Sequence, residues 1–543
     1  MNYHDKSTGR TVELRESRTE FLGMAAPDDT EAVNPVLDQR VFSVIKSTNR
    51  DGVFLFRVKS EEESPVEITR ALDNLRANRS LREVAPALID ADGQARFALP
   101  GRVLVRVRDM SAEEVARYLA SVRSALLRRF GGSELYEAAL PVGVEMSAFI
   151  DTLNANDHVV FAEPSFYGVD DIEVRVTITV AEAPRSGEGE AVGASPTLTW
   201  NLRKLAVESA WTRTRGRPDM VVAVIDGMPE TAHEAIAAKM VGPVGDDFVF
   251  SDDRAVSSHA TNICSVIAGE SERVSGVAPN VRLAPCIVNL RSQVYAERAA
   301  AIDRVTKAAR DKRLGRLGVG RIVLCCSWRT SGDIAAIRTA FQDAVTAGVP
   351  VVCSAGNEDS QLPHYPSEYA GWPGPLGEGV ISVAATDQDD RKADYSNSSA
   401  SVSVAAPGGN GLPLDARDIL CADQSDSYVY AAGTSIACPH VAAVAALLLS
   451  ADPLLTPKEV KQHIMRTADA IDTQNPGYRG TLGSGRVNAA RALAAVTGRR
   501  ASPPPPAATQ AAAGGIAHDG HHPSYSVGPR ATFSAAWSNP RPI

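Results

Sequence analysis

Four short runs of apolar and β-branched residues, VVAVID (221–226), RIVLCCS (321–327), VPVVCSAGN (349–357) and GVISVAA (379–385), are separated by helix-period segments such as DIAAIRTAFQDAVTAG. A strand that is apolar at successive positions is covered on both faces, and strands that alternate with helices are joined by crossovers. The spacing therefore predicts an α/β body, a parallel sheet with helices on both faces.

Upstream the element types mix. GVFLFRV and RVLVRVR predict strands, SAEEVARYLASVRSALLRRF an amphipathic helix opened by the capping box Ser111/Glu114, and SELYEAALPV, MSAFIDTLNAN and HVVFAEP a strand, a helix and a strand. This order predicts a small α+β, ferredoxin-like domain over 49–180, after an N-terminal extension, 1–48. Residues 181–197, AEAPRSGEGEAVGASPT, have no apolar face to bury and are expected to be a flexible linker. The main body then covers 198–498. From 499 to 543 a Pro/Ala-rich stretch followed by HDGHH shows no periodicity and predicts a disordered tail, its histidines solvated rather than metal-bound.

Composition narrows the partners. A formal net charge of −9 gives no basic footprint for nucleic acid or an anionic membrane surface. The longest apolar stretches, such as Val441–Leu449, fall short of the roughly 18–20 residues of a bilayer span, so no transmembrane helix is expected. The first twenty residues carry no apolar signal core, and the seven cysteines (264, 286, 325, 326, 353, 421, 438) lie in apolar runs without CxxC spacing. Together these favour a cytoplasmic protein with buried reduced thiols and no structural zinc.

Three segments carry candidate chemistry. Asp226 ends an apolar strand, His259 lies in SSHATNICSVIAG, and Ser435 follows Gly433-Thr434 at the head of an apolar helix. A serine hydroxyl needs a base at neutral pH, which an imidazole can supply, and a buried carboxylate can hold that imidazole in one tautomer. Unpaired N–H groups at a helix start favour developing negative charge beside Ser435. Taken singly, each of these residue types is more often structural.

The local sequences resemble the subtilisin-like serine protease (subtilase) family, over roughly Thr197–Thr497. HATNICSVIAG is similar to its His-Gly-Thr motif, and GTSIACPHVAAVAALLL to its Gly-Thr-Ser-Met-Ala-x-Pro-His-Val motif, with SGVAP and APG as supporting matches. The resemblance implies an Asp226, His259, Ser435 catalytic set in the family's order, Asn357 of CSAGNE as oxyanion donor, and hydrolysis of a protein or peptide substrate without a cofactor or metal. It also implies that the α+β unit ending VVFAEPSFYG is propeptide-like, an intramolecular inhibitor or folding aid, with 181–197 as a processing region.

The departures are specific. Asp226-Gly227-Met228 replaces Asp-Thr/Ser-Gly, so a hydroxyl beside the carboxylate is missing; Ala260 and Asn262 replace Gly and a second His; Ile436 replaces Met. Ser327-Trp328-Arg329-Thr330 replaces a glycine-containing substrate-binding strand, an exchange expected to narrow the pocket before the scissile bond. Arg329 either favours an acidic or otherwise polar substrate, or pairs with Glu358 across that pocket and blocks it, or is a solvated surface residue. No Asn-rich calcium loop lies between His259 and Gly276, so a calcium requirement is not carried over. The expectation is a serine endopeptidase of restricted specificity; the alternative is a catalytically impaired subtilase-fold binding or regulatory protein.

Overall fold

The computed structural model describes residues 1–25, 40–47, 53–59, 64–77, 81–169, 175–180, 199–241, 249, 255–290, 292–314, 317–412 and 417–500. The expected linker at 181–197 and the tail beyond Arg500 lie outside them.

The apolar runs form one six-stranded parallel sheet, in the order Arg282–Ile287, Met220–Asp226, Arg321–Cys326, Val351–Ser354, Val380–Thr386, Val404–Pro407. Alternation along each strand divides the interior in two. Val221, Ala223 and Ile225 face one core with the Tyr295–Asp311 and Ala335–Thr346 helices, while Val222 and Val224 face another with the Ser258–Ala268 and Thr434–Ala451 helices. The first strand sits between the second and third, so the chain leaves it first to one side and then to the other. Crevices at such reversals, outside the carboxyl ends of the strands, are where open α/β sheets bind ligands. Asp226 is the last residue of that first strand.

The apolar stretch reaches beyond Val441–Leu449. The 18-residue Thr434–Ala451 helix is long and apolar enough, by length and composition, to cross a membrane, yet 94% of it is buried inside the protein. It is apolar all round because it is a core helix, packed beneath the sheet and against the Ser258–Ala268 helix.

The N-terminal part is an antiparallel sheet, and residues 1–48, set apart above as an extension, contribute to it: Arg15–Ala25 pairs with both Val53–Val58 and Leu81–Ile89, and Phe42–Ser47 lies at its edge. The Ser111/Glu114 capping box forms as expected, with Ser111 Oγ accepting from Glu114 N and Glu114 Oε2 accepting from Ser111 N. The helix it opens stops at Ser121, not Phe130. Leu126–Arg129 instead pairs with Leu135–Ala139 across a turn in which Gly131 and Gly132 take positive φ, a conformation glycine adopts freely.

This sheet is not an appendage. Val103, Val105 and Phe161 share a continuous hydrophobic core with Ala299, Ile302, Ala336 and Ala340 of the two helices it covers. Polar contacts fix the register of that interface. Arg106 donates to Asp303 and Asp343, each at 2.9 Å, tying one strand to both helices. The buried Glu163 carboxylate accepts from Ala335 N (2.9 Å) and Ala336 N (2.8 Å), satisfying two N–H groups that have no partner within their own helix. Two further strand pairings extend across the boundary: Val159–Val169 with Ser292–Val294, and Arg175–Val180 with Tyr428–Ala432.

Candidate active site

Asp226 and His259 meet at the carboxyl end of the sheet, with His259 Nδ1 and Asp226 Oδ2 2.8 Å apart. The separation is that of a hydrogen bond, although the two atoms are not aligned as one. Asp226 is 1% and His259 6% exposed, so their attraction is little screened by water.

The hydroxyl missing beside Asp226 is replaced by backbone. Gly227 N donates to Asp226 Oδ1 at 2.7 Å. A Cβ at Gly227 would lie 2.8 Å from Ser257 Cβ, so glycine is what allows the two segments to touch. Ser257 in turn opens the His259 helix: its N–H donates to Met228 O (2.7 Å), and its hydroxyl accepts from Ala260 N (3.2 Å). Asn262, in place of the family's second histidine, donates to Ala422 O at 2.7 Å and braces the same helix.

Ser435 is the second residue of the buried Thr434–Ala451 helix. Its N–H is one of the four at a helix start that lack an intrahelical acceptor. Ser435 Oγ and His259 Nε2 are both buried without a hydrogen-bond partner, and so are not bonded to each other. Their two helices pack together on one face of the sheet. Unligated sites often hold such pairs loosely, tightening only around substrate.

Asn357 follows the Val351–Ser354 strand. Its Oδ1 accepts from Thr434 N and from Thr434 Oγ1, and the same hydroxyl accepts from Gly356 N at 3.1 Å. These bonds tie the Asn357 turn to the residue preceding Ser435.

Ser327, Trp328, Arg329, Asn357, Glu358 and Ser435 line one pocket. Ser327 Oγ donates to Ser435 O at 3.0 Å. The Trp328 ring is 2% exposed and packs in the core beside Phe341 and over the Arg298 guanidinium, which donates to Arg329 O at 2.9 Å. Of the three expectations for Arg329, the structure displays the pairing, with Nη1 3.4 Å from Glu358 Oε1 and the side chain 38% exposed.

Burial raises the Glu358 pKa, but His364, Arg329 and a hydrogen bond from Asn397 outweigh it and hold the carboxyl at about 2. His364 and Asn397 escaped the sequence reading. Asn397 also accepts from Glu358 N (3.1 Å) and Ser360 N (2.8 Å), and donates to Ala355 O (3.0 Å). Neither residue belongs to a motif quoted above; only the folded chain brings them under the CSAGNE turn.

The family model described as the subtilase family, Peptidase_S8, matches residues 217–487. The chain is 28% identical over 401 residues to the thermophilic serine proteinase of Bacillus sp. (strain AK1), spanning 72% of this chain and 87% of that protein. It is 30% identical over 256 residues to the intracellular serine protease of Paenibacillus polymyxa, spanning 46% of this chain and 71% of that one. Among solved structures, fervidolysin from Fervidobacterium pennivorans, titled a keratinolytic enzyme related to subtilisin, shares the fold with a TM-score of 0.54 at 23% identity, over 73% of this chain and 61% of that chain. The fold is that of the subtilisin-like α/β proteins. The chain belongs to the subtilase family.

Proposed function

We propose that this protein is a serine endopeptidase of restricted specificity in which Ser435, His259 and Asp226 act together. The observation that carries this reading is the buried 2.8 Å Asp226–His259 pair at the sheet's reversal point, with His259 on a helix packed against the one that carries Ser435 in its first turn. In the first step Ser435 Oγ bonds to the peptide carbonyl carbon while His259 Nε2 takes the hydroxyl proton. Asp226 keeps the other ring proton on Nδ1 and stabilises the imidazolium. The Asn357 side-chain amide and Ser435 N–H donate to the oxyanion in this reading, supported by the Asn357 Oδ1 bonds to Thr434 that tie the two segments together. Collapse breaks the C–N bond, the amine leaves with the proton from His259, and water, activated by the same imidazole, then hydrolyses the ester.

The continuous core beneath the N-terminal sheet, and the strand Arg175–Val180 along the edge of the strand that leads into Ser435, support a role for the N-terminal domain as an intramolecular inhibitor or folding aid. Seven buried cysteines without a disulfide among them support a reducing compartment.

The test is labelling of the full chain with a fluorophosphonate serine-hydrolase probe, mapped by peptide mass spectrometry. Labelling at Ser435 that disappears in Ser435→Ala and falls at least 100-fold in rate in His259→Ala is the expected result. Wild-type protein in which Ser435 stays unmodified while other serines react would overturn the reading.

A further inference from the structure

We infer, resting on the peptidase reading above, that the pocket beside Ser435 admits only a small side chain, glycine, alanine or serine, on the residue whose carbonyl is attacked, and that His364 with Arg329 and Glu358 sets this limit. The void is about 20 Å³, room for about one water molecule. Ser435 and Asn357 both line it, so the side chain next to the attacked carbonyl is assigned to this space.

His364 and Gly356 both line this space, and Asn397 lies against the same glycine. A Cβ placed on Gly356 would meet His364 Cδ2 and Nε2 at 2.5 Å and Asn397 Nδ2 at 2.3 Å, so the imidazole and the amide lie flush against the glycine backbone that forms the pocket's side. Gly356 has φ +104°, which holds that backbone in a conformation other residues rarely adopt. His364 Nε2 lies 3.7 Å, and Arg329 Nη1 3.4 Å, from the same Glu358 oxygen. Glu358 is anchored in turn by Asn397 Nδ2 at 2.5 Å. One fixed carboxylate therefore keeps two cationic or polar side chains across the cavity.

Each larger class of side chain meets an obstacle. A basic residue finds Glu358 already paired with Arg329, and an acidic one finds Arg329 already paired with Glu358. A large apolar residue has to displace His364 and bury itself against charges, which is costly. The two blocking side chains differ in freedom: the Arg329 side chain is 38% exposed and can swing outward, whereas that of His364 is 12% exposed. His364 is the stronger determinant.

The experiment measures kcat/KM of the full chain on fluorogenic peptides that differ only at this residue, for wild type, His364→Gly and Arg329→Gly. Wild type is expected to favour alanine over phenylalanine, leucine, lysine and glutamate by at least 100-fold. His364→Gly raises the phenylalanine-to-alanine ratio at least tenfold, and Arg329→Gly raises it less. Wild type that turns over phenylalanine or leucine as well as alanine overturns the inference, and this profile decides even if a variant fails to fold. A folded His364→Gly that takes the fluorophosphonate at Ser435 with an unchanged ratio also overturns it. A wild-type chain that neither reacts at Ser435 nor cleaves any peptide overturns the peptidase reading, and the inference falls with it.

Discussion

The Asn357 side-chain carbonyl accepts two hydrogen bonds from Thr434, one from its N–H and one from its hydroxyl, each 2.8 Å long. An amide oxygen held twice fixes the direction of its NH2 group, which then points away from Thr434. A donor oriented before substrate arrives needs no reorganisation when charge develops, which is where such groups gain their effect. Asn357→Leu is therefore expected to lower kcat by about 10²–10³-fold with little change in KM. Thr434→Val, which keeps the amide but frees one of its anchors, should fall between wild type and Asn357→Leu. Steady-state kinetics on an alanine-type peptide would check both, and a change confined to KM would remove Asn357 from the transition state.

His440 is buried in the helix that carries Ser435 in its first turn. Its Nδ1 lies 2.9 Å from Ile436 O, an acceptor only, so the proton sits on Nδ1 and Nε2 accepts from Asn201 Nδ2 at 2.9 Å. Burial pushes its pKa down to about 4, with the Ile436 bond opposing. Since the unfolded value is near 6.5, the unfolded chain binds more protons between these limits, and stability rises with pH there. The contribution is complete above about pH 6.5 and is lost as pH falls toward 4, on the order of 3 kcal/mol in all. Urea midpoints at pH 7 and pH 4.5 should show this loss in wild type and a smaller one in His440→Gln. Equal slopes in the two proteins would refute the assignment.

Arg106 bonds both helices beneath the N-terminal sheet. Burial drives the Asp303 pKa up to about 6 even with Arg106 lowering it, so removing the guanidinium leaves a buried acid without its main counter-charge. Arg106→Met is expected to destabilise the protein by about 3 kcal/mol, and Arg106→Met/Asp303→Asn to recover part of that. Chemical unfolding of the two variants gives the answer. A double variant no better than the single one would mean that the arginine contributes through packing alone.

Arg175–Val180 borders the strand that runs into Gly433 and Ser435. On an edge strand one of any two neighbouring N–H groups faces the partner, and proline supplies none. Of Ile178→Pro and Thr179→Pro, one should therefore weaken this ladder more than the other. We expect that variant to react faster with the fluorophosphonate probe, by several-fold. Identical rates for both variants and wild type would show that the strand does not limit access to Ser435.

Much of the fold was legible because the chain repeats a strong signal. The runs at 221–226, 321–327, 349–357 and 379–385 all became sheet strands, since burial on both faces leaves little freedom in composition. Asp226, His259, Ser435 and Asn357 stand out in the sequence for a related reason: each sits beside residues that shape the backbone around it, and those neighbours form recognisable strings. What stayed hidden was supplied from a distance or by the main chain. The Gly227 N–H that serves Asp226 has no signature in a side-chain alphabet. His364 and Asn397 reach Glu358 only through the fold. The helix after Ser111 was read nine residues too long because VRSALLRRF retains helical propensity, and only its pairing with Leu135–Ala139 makes part of it a strand.

The hydrophobic core shared by the N-terminal sheet and the Tyr295–Asp311 and Ala335–Thr346 helices ties two architecturally distinct regions to one melting event. Neither region can lose its packing without exposing the other's apolar surface. In a differential scanning calorimeter the covalently intact chain should thus give a single main endotherm through these regions, with a van't Hoff enthalpy close to the calorimetric one. A nick between the two would leave that cooperativity in place while making it depend on protein concentration, since the halves would then be held by contact alone.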